Sequence, residues 1–181
     1  MTAIQPHLFS EFAADPVGSN ERYTPSEPIE LARAGMGSID TDPATHRVVN
    51  ERYVRARWWY DLEANGLLHP WYGNVWCNPP YSRGDIDQFV DKLLQEHARP
   101  HMHQCTLLVN ASMSSNWMHR VLGSARLMAI PDRRFEFWGP FEKSTSMYDS
   151  LLFYFASDFW AAGTEQRWAR EFEKIGKVVR L

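Results

Sequence analysis

Four consecutive residues, Asn78-Pro79-Pro80-Tyr81, have the types and order needed to hold a flat amine without a strong base. Proline has a fixed φ angle and no N–H donor, so the Pro79 carbonyl can point outward with no competing amide nearby. The Asn78 side chain supplies a second carbonyl acceptor. Together the two oxygens can accept both hydrogens of a planar exocyclic amine and stabilise the positive charge that develops when it attacks an electrophile. Tyr81 could stack on the ring that carries the amine.

A base in a duplex cannot present its amine to such a turn while it remains stacked. The base must be flipped out, at a cost of roughly a few kcal/mol that stacking in the pocket partly offsets. An RNA base or the amide of a glutamine could fit the same turn, and a Pro-rich turn without chemistry is the plain structural alternative. The apolar strand before the turn (Val75, Trp76, Cys77) and the helix after it favour a functional site.

The elements that must position this turn alternate between strands and helices. Apolar residues at 3- and 4-residue spacing predict a helix from Asp85, a plausible cap, to about His97. Further helices are predicted at about residues 25–35, 115–122 and 165–175, and strands at residues 38–40, 73–77, 105–110, 126–130, 135–138 and 151–155. Residues 44–60 fit either a helix or a long ordered loop.

This alternation is typical of a three-layer α/β/α domain with a mostly parallel sheet. Ligands of such folds bind beyond the carboxyl ends of the strands. The turns at residues 40–42 and 78–81 each follow a predicted strand, so we expect them to share one site. Thr24-Pro25-Ser26-Glu27 predicts the start of the first helix, with Thr24 or Ser26 as the cap and Glu27 at capping-box spacing. Residues 1–20 are expected to form a loose arm and residues 21–181 a single domain.

The composition is that of an ordinary globular protein, with 44% hydrophobic and 23% charged residues. The net charge of −3 excludes a protein that coats nucleic acid through a global basic excess. DNA contact would need a local patch, and the same arginines could equally be solvated surface charges. The candidates are Arg47, Arg52, Arg55 and Arg57, and separately Arg133, Arg134 and Lys143.

Other features of the sequence carry less chemistry. Phe135, Phe137 and Trp138 could sandwich a base, but their alternation is more typical of a half-buried strand. His101, His103 and Cys105 lack the second ligand pair of a zinc site, so no metal is expected. There is no signal peptide and no apolar run near ~20 residues, so we expect a cytoplasmic protein with reduced thiols and no membrane contact.

The chain resembles the phage-type, Dam-like DNA N6-adenine methyltransferases, which are common on phages and prophages. The tetrapeptide looks like the amino-methyltransferase signature, which also occurs in glutamine and ribosomal-RNA methyltransferases. A longer series is more specific and spans about residues 20–100, with weaker similarity to about residue 156. Its pieces are Tyr23-Thr24-Pro25, Ile39-Asp40-Thr41-Asp42-Pro43-Ala44, Gly66-Leu67, Pro70-Trp71 and Val75-Trp76-Cys77-Asn78-Pro79-Pro80-Tyr81-Ser82.

The resemblance implies a class I (Rossmann-like) fold, S-adenosylmethionine as methyl donor and adenine in duplex DNA as acceptor. It implies that residues 78–81 form the amine site, with Asn78 also close to the donor. It further implies that Tyr23, Thr24 and Pro25 help to hold the donor, and that Asp40 or Asp42 lies beside it.

A carboxylate at a strand end can accept hydrogen bonds from ribose hydroxyls, although Asp42 could instead be a turn or cap residue. The Gly-rich turn that many methyltransferases carry after their first strand is approached only by Gly35-Met36-Gly37, which follows a predicted helix. The base-contacting residues are expected within residues 44–70 and 131–149.

Overall fold

The structure, a computed structural model, describes residues 23–82, 84–138, 143–145, 148–161 and 163–181. The predicted N-terminal arm at residues 1–20 lies outside the described residues. The strands are β1 (Thr41–Asp42), β2 (Trp58–Trp59), β3 (Gly73–Cys77), β4 (Met102–Asn110), β5 (Leu127–Pro131), β6 (Glu136–Trp138), β7 (Lys143–Thr145), β8 (Ser150–Ala156) and β9 (Gly176–Arg180). The helices are α1 (Ser26–Met36), α2 (Arg47–Val49), a π-helix (Asn50–Val54), a 3₁₀-helix (Gly66–Leu68), α3 (Asp85–His97), α4 (Asn116–Leu122), α5 (Asp158–Ala161) and α6 (Thr164–Phe172).

A mixed seven-stranded sheet organises the described residues, in the order β2-β1-β3-β4-β8-β5-β9. The half from β2 to β4 is parallel, as the sequence predicted. The other half is antiparallel, because β8 runs against both β4 and β5 and β9 runs against β5. The carboxyl ends of β1, β3, β4 and β5 and the start of β8 therefore lie at one edge, which we call the carboxyl edge.

Helices cover both faces of the sheet, which confirms the predicted three layers. On one face α1 and α6 bury a cluster that includes Ile29, Trp168 and Phe172. On the other face α3 and α4 bury a second cluster around Leu93 and Met118. The apolar residues of β3 and β4 alternate between these clusters, because successive side chains of a strand point to opposite faces.

Gly35 lies where α1 crosses α6, and a Cβ atom there would lie 3.0 Å from the Trp168 Cα. The Gly35-Met36-Gly37 segment therefore belongs to a helix crossing and a helix end, with Gly37 (φ 96°) as the C-cap. The Gly35-Met36-Gly37 segment therefore does not form a Gly-rich turn after a strand.

Two predicted helix caps are wrong. Helix α1 begins at Ser26 with Pro25 as N-cap and no side-chain cap bond, so neither Thr24 nor Ser26 caps it. Helix α3 begins at Asp85 as predicted, but its N-cap is Gly84 and no side-chain cap bond forms. Helix α4 is capped by Ser115, since its hydroxyl accepts a hydrogen bond from the Met118 N–H at 3.4 Å.

The region between α1 and β3 differs most from the prediction. The strand expected at residues 38–40 is wrong, because the ladder with β3 begins only at Thr41. Residues 44–60, which the sequence left open, form α2, the π-helix and β2. The Asn50 side chain stabilises the π-helix, since its amide exchanges two hydrogen bonds with the Ala56 backbone. In the described part of the chain, no helix is long and apolar enough to cross a bilayer.

Candidate active site

The Asn78–Tyr81 turn leaves the sheet at the carboxyl edge, directly after β3. The strand before it is fully buried, with Val75 and Cys77 at 0% exposure, so the turn starts from a rigid base. Pro79 is buried and Pro80 is exposed, while Asn78 is half-buried. The structure therefore places the predicted amine-binding residues at the edge where α/β folds bind ligands.

Two side chains hold the Asn78 amide in one orientation. Its Nδ2 donates to the Thr24 Oγ1 at 2.9 Å, and the Tyr81 hydroxyl donates to its Oδ1 at 2.8 Å. A carbonyl oxygen has two lone pairs, so Oδ1 retains the capacity to accept one further hydrogen bond. Asn78 is thus a pre-oriented acceptor at the mouth of the site.

Tyr81 is tied to this arrangement through its hydroxyl. The ring packs, partly buried, against the cluster between the sheet and helices α3 and α4. Its hydroxyl also lies 3.2 Å from the Leu108 carbonyl oxygen of β4. Burial raises the pKa of Tyr81 far above its ordinary value, so the phenol keeps its proton and remains a donor to Asn78. The predicted stacking of Tyr81 on a base stays a prediction.

Tyr23, Thr24 and Pro25 run between the Asn78 turn and the loop that follows β1. Thr24 is 6% exposed, and its hydroxyl is used by Asn78 rather than by helix α1. The buried Tyr23 ring lies 5.8 Å from the His46 ring, centroid to centroid. The segment thereby brings the Asn78–Tyr81 turn and the end of β1 together.

Asp42 ends β1 with a buried carboxylate. Because Thr41 is paired with Val75, Asp42 is level with Trp76, two residues before Asn78 on the neighbouring strand. Asp42 is 2% exposed, and its Oδ1 accepts a hydrogen bond from the Ala44 N–H at 3.1 Å. Burial raises the pKa of Asp42 to about 7, against the smaller lowering effect of that bond. A buried carboxyl with a strongly raised pKa is typical of a binding site.

The neighbouring Thr45 was missed in the sequence reasoning. Its hydroxyl lies beside the Asp42 carboxylate and is buried, yet it makes no hydrogen bond of normal geometry among the described residues. A buried polar atom without a partner is costly unless a ligand satisfies it. The only signal for Thr45 was its position directly after Asp42-Pro43-Ala44 at a predicted strand end.

Asp40 has a different task. Its carboxylate accepts hydrogen bonds from the Asn74 N–H at 2.8 Å and from the Ser38 hydroxyl at 3.1 Å. It lies against Gly73 (φ 65°), where a Cβ atom would approach the Asp40 Oδ2 to 2.3 Å. Asp40 thus fixes the start of β3, away from the carboxyl edge, and the structure separates the two predicted acids.

Residues 23–149 match the family described as DNA N-6-adenine-methyltransferase (Dam). The match covers well over half of the chain and contains every residue of the site described above. The chain belongs to this family. A DNA N-6-adenine-methyltransferase of Escherichia phage T1 is 35% identical over 96 residues, which are 52% of this chain and 37% of that relative. The predicted resemblance to Dam-like proteins is therefore confirmed.

The basic residues predicted as DNA contacts in this Dam-family chain mostly meet acidic partners on the surface. Their contacts are Arg47 with Glu51 at 3.3 Å, Arg55 with Glu30 at 2.6 Å, Arg133 with Glu27 at 2.7 Å and Arg134 with Asp149 at 2.9 Å. Arg57 lies 4.7 Å from the Trp58 ring centroid, Arg52 also interacts within the protein, and the Lys143 side chain lies outside the described residues. Four of the seven predicted basic residues therefore pair with a carboxylate in the described structure.

The remaining candidates belong to the framework of the Dam-family fold. Phe135 and Phe137 are buried in the cluster beneath α1, as expected for a half-buried strand, while the Trp138 side chain lies outside the description. His101 bonds to Glu96 at 2.7 Å and His103 stacks on Trp160 with ring centroids 4.0 Å apart. These side chains therefore serve separate neighbours. Across the described ranges, no group of three or more potential ligands could hold a metal ion.

Proposed function

We propose that this protein transfers a methyl group from S-adenosylmethionine to the exocyclic N6 amine of adenine in DNA, on a class I methyltransferase fold. The observation that carries the proposal is the Asn78 amide, held from both ends at the carboxyl edge of the sheet. Membership of the Dam family supports adenine in DNA as the acceptor. The order of the parallel strands and the helices on both faces supports the class I fold.

Asn78 and Pro79 act as the amine holder in this proposal. The remaining lone pair of the Asn78 Oδ1 and the Pro79 carbonyl accept the two amine hydrogens. Because Thr24 and Tyr81 already fix the amide, little reorganisation is needed when positive charge develops on the nitrogen. The partly exposed Tyr81 ring and the exposed Pro80 form the rim against which the flipped adenine stacks.

The end of β1 fits the methyl donor. S-adenosylmethionine carries an ammonium group and ribose hydroxyls, which are partners for the buried Asp42 carboxylate and the unpartnered Thr45 hydroxyl. Tyr23 and Pro25 lie between this acid and Asn78, and they enclose the donor beside the amine. The bound donor supplies an electrophilic methyl group on its sulfonium. The residues of the chain bind the donor, orient the amine and exclude water from the site.

DNA binding in this proposal exchanges surface ion pairs for phosphate contacts. The Arg47–Glu51 and Arg55–Glu30 pairs are about half exposed, and pairs of that kind contribute only about 0–1 kcal/mol. The arginines can therefore change partners at small cost. Because each phosphate contact releases counterions from the DNA, we expect DNA affinity to fall as the salt concentration increases.

The decisive experiment measures transfer of a labelled methyl group to unmethylated duplex DNA, followed by mass spectrometry of the nucleosides. We expect N6-methyladenine with the wild-type protein and almost none with Asn78→Ala, while S-adenosylmethionine binding is largely kept. Asn116→Ala, at the exposed start of α4, is the matched control and should retain activity.

Parallel reactions with RNA and with protein test the other acceptors. Label on RNA or on glutamine, with none on DNA, would support S-adenosylmethionine as the methyl donor but contradict DNA as the acceptor. A protein that binds no S-adenosylmethionine would instead be a non-catalytic module that has kept the fold.

A further inference from the structure

A concave surface lies at the carboxyl edge next to the amine site, between the loop after β5 and the start of β8. It is an open groove of about 380 Å³ that is lined by residues 130–134 and 149–151. Apolar walls from Ile130, Pro131 and Leu151 surround two arginines and two aspartates.

The position of Asp149 relative to Asn78 follows from the sheet register. The Ala111 N–H, directly after β4, donates to the Asp149 carbonyl oxygen at 2.8 Å. Because Cys77 pairs with Leu107, Asn78 is level with Leu108, three residues before Ala111. Asp149 therefore lies about 10 Å sideways from Asn78, across two strand spacings, and about 10 Å farther out along the strands.

That offset suits a contact with the part of the duplex that stays stacked. The flipped adenine must descend to Asn78 while its neighbouring base pairs remain outside the pocket. Side chains that stand about 10 Å beyond Asn78 are at the height where those neighbouring pairs present their edges.

Arg134 and Asp149 form one unit within this surface. The Arg134 Nε donates to the Asp149 Oδ1 at 2.9 Å, and the two terminal guanidinium nitrogens take no part in that bond. The side chains are 50% and 72% exposed, so both are accessible from outside. The aspartate thus orients the arginine and still presents its own carboxylate at the surface.

The charges of the pocket favour a base-pair edge over a phosphate. Asp132 and Asp149 offset Arg133 and Arg134, and Glu27 already holds Arg133 through both carboxylate oxygens. A phosphate would meet carboxylates there, whereas a base pair offers donors and acceptors together. An arginine fork matches the O6 and N7 atoms of guanine, and a carboxylate accepts from the N4 amine of cytosine.

We propose that Arg134 and Asp149 read a G·C base pair adjacent to the target adenine and so determine sequence preference. The proposal rests on methyl transfer to DNA as the function of the protein. Arg134 binds the guanine edge through its terminal nitrogens, and Asp149 both holds Arg134 and accepts from the cytosine amine. The contact is made outside the amine site and does not touch the reacting atoms.

The test compares kcat/KM for one target adenine, with methylation assigned by position, in duplexes that differ only in the base pairs beside that adenine. We expect the wild-type protein to prefer G·C at one neighbouring position by about 10- to 100-fold. Arg134→Gln should move that preference toward A·T, because glutamine matches the edge of adenine. Asp149→Asn should weaken the preference without changing its direction.

Arg180→Gln is the matched control, since Arg180 is an exposed arginine paired with Glu165 at 2.9 Å near the opposite edge of the sheet. It should keep the wild-type preference. Equal wild-type rates on all duplexes, or an equal loss on all of them with Arg134→Gln, would overturn the proposal. A wild-type protein that methylates no duplex would overturn the proposed function itself, before any variant is compared.

Discussion

Thr24→Val tests whether Thr24 acts by positioning Asn78. The Thr24 hydroxyl accepts the Asn78 Nδ2 hydrogen at 2.9 Å and the residue is 6% exposed, so water cannot readily replace the lost acceptor. Valine keeps the shape of the side chain and removes only the hydroxyl. A partly buried donor left without a partner costs about 1–3 kcal/mol. If that cost falls on the reactive orientation of the amide, kcat drops about 5- to 150-fold.

The assay is single-turnover and steady-state methyl transfer, with donor affinity measured separately by calorimetry. We expect Thr24→Val to lower kcat while the dissociation constant of S-adenosylmethionine changes little, and Thr24→Ser to restore activity because it returns the hydroxyl. A wild-type kcat in Thr24→Val would refute the positioning role. A higher dissociation constant for S-adenosylmethionine with unchanged kcat would show instead that Thr24 holds the donor, as the resemblance to the family implies.

Two further predictions concern the end of β1. The pKa of Asp42 is raised from 3.8 to about 7, so the folded protein binds a proton more tightly than the unfolded chain and stability falls as pH rises from about 4 to about 7. Asp42→Asn should remove this slope in urea denaturation while weakening donor binding, and an unchanged slope would mean that the carboxyl is not desolvated. Gly66→Ala would place a Cβ atom 2.1 Å from the Pro43 carbonyl oxygen, so we expect a loss of about 1–3 kcal/mol in unfolding free energy and weaker donor binding. Gly123→Ala, whose Cβ would meet its closest atom at 3.4 Å, should be near neutral, and similar losses in both variants would contradict the steric reason.

The elements with strong local signals were predicted well. Helix α3 was recognised from Ile86, Phe89, Val90 and Leu93, because an amphipathic period reports directly which face is buried. Strand β3 was predicted at its observed bounds, since Asn78-Pro79-Pro80 ends it sharply. The two-residue strands β1 and β2 carry too few residues for any period, and only pairing with β3 specifies where β1 begins.

The candidate site was predicted in part. Residue types alone identified Asn78 to Tyr81 and the acids at the first strand end. They could not distinguish Asp40 from Asp42, because the two acids lie two positions apart on one short segment. Only the contacts with the backbone of Gly73 and Asn74 show that Asp40 is a structural residue. The sequence did not point to Thr45, because the tertiary structure alone shows that its hydroxyl is buried and has no hydrogen-bond partner.

The sequence by itself determined which groups the turn offers, since fixed proline angles and an amide acceptor are properties of the residues themselves, and it also identified the family. The tertiary structure decided which groups meet. Thr24 reaches Asn78 across 54 positions, and Arg134 meets Asp149 across 15, only because the chain packs α1 and β8 beside the carboxyl edge. Local preferences reach only a few residues along the chain, whereas these contacts result from burying both faces of one sheet. Packing therefore decides which residues distant in sequence become partners, and through Thr24 it also sets the orientation of the Asn78 amide.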